Sequence, residues 1–174
     1  MPISLREARA SQQDRNWIEQ SYGEYLADLG ADHTGVFPSL VVTGQSTTEL
    51  VQSWFRDDRS VVFLILREGE PAGFALVQRA AAAQGDRARH YRLSEFFIRR
   101  QFRRLGVGRD AALLLFARFA GAWIISEQAR NSGAVRFWRR VVSDYTNGDF
   151  LERREHGEVA HYFTSTRAAQ APAR

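Results

Sequence analysis

The sequence contains no cysteine and no lysine, so all 24 of its basic residues are arginine. The first absence excludes a disulfide framework and a thiolate metal site. The four histidines are scattered, and no metal is expected. The second turns attention to where arginine clusters, because a net charge of +4 over 174 residues is too small for nucleic-acid binding through bulk charge. Long hydrophobic runs are also missing. No apolar stretch could cross a bilayer, and Met1 to Glu7 has no signal-like apolar region, so a cytoplasmic protein without a membrane partner is expected. Internal repeats, linkers and low-complexity tracts are absent too, apart from a short alanine run in an expected loop from Ala80 to Arg89.

What the sequence does contain is enough apolar matter for one core: 44% hydrophobic and 12% aromatic residues. Ile3 to Ala8 reads as an edge strand. Ser11 and Asp14 form a capping box for a helix carrying Ile18, Tyr22, Tyr25, Leu26 and Leu29, stopped at Gly30. The segment from Ala31 to Gln45 reads as irregular, punctuated by Gly35, Pro38 and Gly44. Ser46 and Glu49 form a second capping box, opening a short helix through Leu50, Trp54 and Phe55. Ser60 to Leu66 and Gly73 to Val77 are strands joined by a turn at Arg67 to Pro71. Both are too apolar to leave one face wet, so helices should cover both faces. Leu93 to Ile98 is a further strand, followed by a helix over Ala111 to Phe119 and a strand at Trp123 to Ile125. Asn131 or Ser132 caps a helix with Ala134, Phe137, Trp138 and Val141 on one face. Phe150 to Glu155 and Val159 to Thr166 form a closing hairpin turned at His156-Gly157. The expectation is a mixed α/β fold in one domain over residues 1–167, with a frayed tail at 168–174.

The most informative stretch is Arg99 to Asp110, Arg-Arg-Gln-Phe-Arg-Arg-Leu-Gly-Val-Gly-Arg-Asp, between a strand and a helix. Gly106 and Gly108 permit a tight turn and a close approach by another molecule. The first amides of the following helix have no intrahelical acceptor. Together with the helix dipole and Arg103, Arg104 and Arg109, they make a site for an anion such as a pyrophosphate. Gly106-Val-Gly-Arg-Asp-Ala111 also satisfies the dinucleotide pattern G-x-G-x-x-[G/A], with Glu127 about 20 residues on. That pattern needs its first glycine directly after the strand, whereas Arg99 to Leu105 intervenes here. A phosphate-backbone contact through the arginines and Phe102, or simply a solvated charged loop, are the other ways to use such a turn.

Two spaced motifs decide among these. Arg103-x-x-Gly106-x-Gly108 after an apolar strand resembles motif A, [Q/R]-x-x-G-x-[G/A], of the Gcn5-related N-acetyltransferases (GNAT). Asn131-Ser-Gly-Ala134-Val-Arg-Phe137-Trp138 resembles that superfamily's N-x-x-A-x-x-[F/L]-Y signature. The resemblance covers Ser60 to Glu155 well and the first 59 residues only in outline. It implies a GNAT-like central mixed sheet flanked by helices. It also implies acetyl-CoA as acyl donor and a small-molecule or peptide amine as acceptor, and it allows for a homodimer. Phe97 and Ile98 would offer backbone groups to the pantetheine arm. Arg104, Leu105, Gly106, Val107, Gly108 and Arg109 would wrap the pyrophosphate. Arg103 holds the motif's leading polar position, and Asn131 would hydrogen-bond the pantetheine arm or simply cap its helix.

The chain departs from the signature at Trp138, which stands where a tyrosine acid is usual. Indole donates a hydrogen bond but does not titrate as an acid, and core packing is the expected role. Ser94 occupies the position where amine-acetylating relatives often carry a basic glutamate. Its neighbour Glu95 is the candidate catalytic residue, but alternation along a strand turns it away from the site unless a bulge intervenes. Tyr22, Tyr25, His33 and Glu127 are further candidates. The expected activity is acetyl transfer to a primary amine, and a CoA-binding sensor without catalysis is the alternative.

Overall fold

The computed structural model describes residues 2–31, 46–80 and 89–166. In chain order it contains β1 (Ile3–Glu7), α1 (Gln12–Ala31), α2 (Thr47–Arg56), β2 (Ser60–Arg67), β3 (Glu70–Ala80), β4 (His90–Ile98) and a single 3-10 turn, Arg100–Phe102. α3 (Val107–Arg118), β5 (Gly121–Gln128), α4 (Ser132–Thr146), β6 (Leu151–Glu155) and β7 (Glu158–Ser165) follow. The expected irregular segment at 32–45 with its His33, the alanine run at 81–83 and the tail at 168–174 lie outside the described residues.

The strands form one seven-stranded sheet in the order β1-β2-β3-β4-β5-β7-β6. Its neighbours are antiparallel except for β4 and β5. This arrangement rules out the doubly wound sheet that a dinucleotide site requires. Both hairpin turns use left-handed residues in pairs, Glu68-Gly69 and His156-Gly157, matching the twist of the strands they join. The first turn is tighter than the sequence suggested, and Pro71 falls inside β3.

The unbroken apolar run of β2 is explained by burial on both faces. Phe63 and Ile65 join α3 and α4 residues such as Val107, Leu115, Phe116 and Val142 in one cluster. Val62, Leu64 and Leu66 join Ile18 and Tyr22 of α1 and Val51 and Trp54 of α2 in the other. Ser46 and Glu49 make a complete capping box at α2. At α1 only half of the expected box forms: Ser11 accepts from the Asp14 amide, while the Asp14 carboxylate is taken by a two-pronged ion pair with Arg6. An arginine fork satisfies both carboxylate oxygens, which a single amide cannot.

Two irregularities of the sheet create the site. The β4–β5 pairing runs only from His90–Ala122 to Leu93–Ile125, after which the strands part. Within β4, Leu93 faces Val77 while Glu95 faces Leu76, so Ser94 is an extra residue, a bulge. Its hydroxyl donates to the Gln78 side chain at 2.6 Å. The bulge reverses the faces beyond it. Tyr91 and Leu93 belong to the α3–α4 core, and Phe97, an even number of residues further on, belongs to the α1–α2 core.

Candidate active site

α3 begins at Val107 rather than Ala111, because Gly106 caps it in a left-handed conformation, φ 82°, that costs a β-carbon-free residue nothing. The first intrahelical bond runs from the Asp110 amide to the Gly106 carbonyl. The amides of Val107, Gly108 and Arg109 therefore precede the ladder and are available to an outside acceptor. They open beside a cleft of about 780 Å³ lined by Phe96, Ile98, the 103–109 turn and the facing side of α4. Arg103, Arg104, Arg109 and Arg140 line this cleft, and among the described residues no acidic one does. The floor passes close over Gly108, where an added β-carbon would stand 3.3 Å from the Phe137 ring. Four arginines, free helix amides and a floor that leaves little room for a side chain at Gly108 suit a pyrophosphate-bearing ligand.

The candidates from the 97–109 segment divide by what their side chains do. Arg104 and Arg109 are exposed at the cleft, with Arg109 only distantly paired to Asp110 and Asp144, at 3.7 and 3.8 Å. Arg103 lines the cleft but is already engaged. It pairs with the buried Asp28 of α1 and donates from Nε to the Ile98 carbonyl at 2.7 Å. Ile98 thus has its carbonyl occupied, and its side chain forms cleft wall. Phe97 and Val107 turn their side chains into the core, leaving only their backbones for a ligand. Leu105 is exposed at the turn. Arg140, also on the cleft, was missed by motif reasoning. Its position three residues after Phe137 puts it on the same face of α4, a signal the helical period carries.

Asn131 caps α4, accepting from the Ala134 amide at 3.0 Å, so the structural role expected of it is real. It also borders three spaces: the arginine-lined cleft, a cavity of about 220 Å³ and a smaller one of about 210 Å³ under α1. Trp138 is 6% exposed and packs edge-on against Phe96 and Phe137, at 5.0 and 4.8 Å between ring centres. It is a core aromatic and does not line the cleft.

The 220 Å³ cavity lies at the parting of β4 and β5. Tyr22, Tyr25, Glu95, Glu127 and Asn131 are among its walls. The Ser94 bulge is what brings Glu95 there, beneath α1. Burial raises the Glu95 carboxyl to about 7, against a hydrogen bond from the Tyr25 hydroxyl that pulls it down. Burial, with the neighbouring Glu95 charge, holds the Tyr25 phenol well above its ordinary range and therefore protonated. A half-ionised carboxylate beside a neutral phenol can exchange a proton near neutral pH. Glu127 borders the cavity from β5, but its carboxylate is buried on the α3–α4 side of the sheet. Its Oε1 stands 3.3 Å from Nδ1 of the buried His161, whose Nε2 is 3.2 Å from Glu152.

The family model described as "Acetyltransferase (GNAT) family" matches residues 16–142. Among solved structures, an acetyltransferase from Thermus thermophilus superposes with a TM-score of 0.66 at 18% identity, covering 94% of this chain and 97% of that one. A GNAT-family acetyltransferase from Streptococcus agalactiae gives 0.71 at 12% identity over 95% and 96%. Arabidopsis thaliana NAA60, solved in complex with acetyl-CoA, gives 0.62 at 12% identity over 94% and 98%. A search of curated proteins found no match.

Proposed function

The chain belongs to the GNAT acetyltransferase family, and on that premise we propose that it transfers an acetyl group from acetyl-CoA to a primary amine. The observation that carries this reading is the Glu95 carboxylate, turned by the Ser94 bulge into a cavity that shares Asn131 with the arginine-lined cleft. A protein that only sensed CoA would need no base at that place.

In this reading the amides of Val107 to Arg109, with Arg104, Arg109 and Arg140, hold the pyrophosphate. Arg103, tied to Asp28, fixes the wall of the turn. Beyond Leu93 the edge of β4 that has lost β5 offers backbone groups, except the Ile98 carbonyl that Arg103 occupies. These orient the acyl arm and polarise its carbonyl. Asn131 borders both spaces and aligns that arm with the amine. Acetyl-CoA supplies the activated thioester carbonyl. The amine arrives as an ammonium of pKa near 10, so only about one molecule in a thousand is uncharged at neutral pH. Glu95 attracts the cation and accepts its proton, a general-base contribution of about 10²–10⁴-fold. Tyr25 donates to Glu95 and fixes its orientation. The catalytic domain spans residues 1–167, and use of acetyl-CoA suits a cytoplasmic setting.

Calorimetry with CoA, followed by thiol release from acetyl-CoA across a panel of primary amines, tests this. Binding and amine-dependent release are expected. CoA binding without release for any amine would leave the sensor function, and no CoA binding would refute both.

A further inference from the structure

Asp28 is a carboxylate where a helix least favours one. It stands in the last turn of α1, which has no basic residue of its own, and there it opposes the helix dipole. It is also buried, at 8% exposed. A charge so placed needs compensation, and Asp28 takes it from the segment that follows β4. Arg100 donates to Oδ1 at 2.7 Å, and Arg103 donates to Oδ2. One helical turn earlier, Glu24 accepts from Arg99 at 3.1 Å. Glu24 and Asp28 therefore make one face of α1 that is held by the run of arginines leading into the anion-binding turn.

Arg103 is the joint between two spaces. Its guanidinium is a planar fork of five N–H donors. Nε is spent on the Ile98 carbonyl and one terminal nitrogen on Asp28, with the Phe97 ring 5.7 Å from the guanidinium carbon. The side chain is nevertheless exposed and lines the arginine-lined cleft. No residue of α1 lines that cleft among the described residues. The other side of α1 is the wall of the amine cavity: Tyr22, Tyr25 and Leu29 line it, and the Tyr25 hydroxyl bonds Glu95. The 210 Å³ cavity under α1 shares Ile98, Arg103 and Asn131 with the cleft, and Tyr25, Leu29 and Asn131 with the amine cavity.

We propose that Asp28 is a positioning residue that links the donor site to the acceptor site. A diphosphate held at the turn fixes Arg103, Arg103 holds Asp28, and Asp28 sets the last turns of α1 against Glu95. The link is favourable because a planar fork can meet Asp28 on one edge and an anion on another. An amine then binds more tightly to the donor complex than to the free protein, and by linkage the donor gains equally from the amine. The inference rests on the reading of the cleft as the donor's diphosphate site, but not on which amine reacts.

The test is amide hydrogen exchange of the full chain with and without saturating ADP, which carries the diphosphate but no pantetheine arm that could touch α1. Calorimetry sets the saturating concentration. ADP should slow exchange at Val107 to Asp110, where it binds. It should also slow Tyr22 to Ala31 by about 5-fold or more beyond any slowing in α2, the lower end of ordinary coupling between sites. α2 is the reference because it packs in the same core cluster and shares no ion pair with the turn among the described residues. In Asp28→Asn the excess slowing of α1 should vanish while that at Val107 to Asp110 stays. A purely structural Asp28 would instead speed α1 exchange equally with and without ADP, and the unchanged ratio would overturn the proposal. Wild-type α1 slowed no more than α2 overturns it as well, and with ADP bound leaves the donor site standing. If Asp28→Asn does not fold, Arg103→Lys takes its place, because an ammonium lacks the planar fork; excess slowing retained there is equally fatal. Absence of ADP binding would refute the donor site and the link together.

Discussion

Replacing Glu95 with glutamine removes a charge without removing volume, and the structure sets the size of the effect. Burial raises this carboxyl from 4.5 to about 7. A group with a raised folded-state pKa holds its proton more tightly in the native protein. Its stabilising contribution is complete below the unfolded value and is lost as pH rises through the folded one. The window is therefore about pH 4.5 to 7. At 1.36 kcal/mol per pKa unit the loss is at most about 3 kcal/mol, reduced by whatever water reaches the cavity. For a chain of this size that corresponds to about 5–10 °C in Tm. Wild type should thus lose stability between about pH 4.5 and 7 relative to Glu95→Gln, whose carboxamide does not titrate. Thermal melts of both proteins across that range measure the difference and require no acceptor. Catalysis should run oppositely, with wild-type kcat/KM rising through about pH 7 as Glu95 ionises and the glutamine variant slower by about 10²–10⁴-fold. Parallel stability profiles for the two proteins would mean that Glu95 is solvated like a surface carboxylate, and the case for it as the base would fall.

Gly108→Glu should abolish CoA binding in calorimetry, because the first added carbon already meets Phe137 and the carboxylate then faces the pyrophosphate; retained tight binding would move the anion site elsewhere. Trp138→Phe should cost about 1–2 kcal/mol in denaturant unfolding, less than full truncation of a core aromatic, with kcat little changed. Trp138→Tyr should not raise turnover, since a side chain at this position faces the core, and a several-fold gain at neutral pH would show that a missing acid limits the rate. Asp28→Asn should destabilise by about 2 kcal/mol through weakened pairing with Arg100 and Arg103, and an unmoved unfolding midpoint would refute that role.

Local chemistry made much of this fold legible in the sequence. The Ser46 box, the apolar β2 and the glycine turn before α3 each depend on residues within a few positions of one another. The site depended on less local facts. Strict alternation puts Glu95 on the same face as Leu93, and only the extra residue at Ser94 turns it beneath α1. A bulge is a property of the pairing with β3, not of either strand alone. Arg103 looked free for a phosphate because its partner, Asp28, lies 75 residues earlier in the chain. Glu127 met the spacing of a ribose ligand, yet its partner is His161, brought near by the β5–β7 pairing. Side chains whose roles are set by distant strands or helices leave no periodic trace.

The parting of β4 and β5 also has a consequence for how the molecule opens. Four register pairs form the sheet's only seam between the strands β1 to β4 and the strands β5 to β7 among the described residues. Parallel pairing is slightly weaker per residue than antiparallel pairing, and this seam is short. The two parts of the sheet therefore approach separate cooperative units, and amide hydrogen exchange should resolve two levels of protection meeting at Leu93 and Ile125. A ligand in the arginine-lined cleft touches Ile98 on one side and α4 on the other. It would act as a clasp across that seam, slowing exchange on both sides at once.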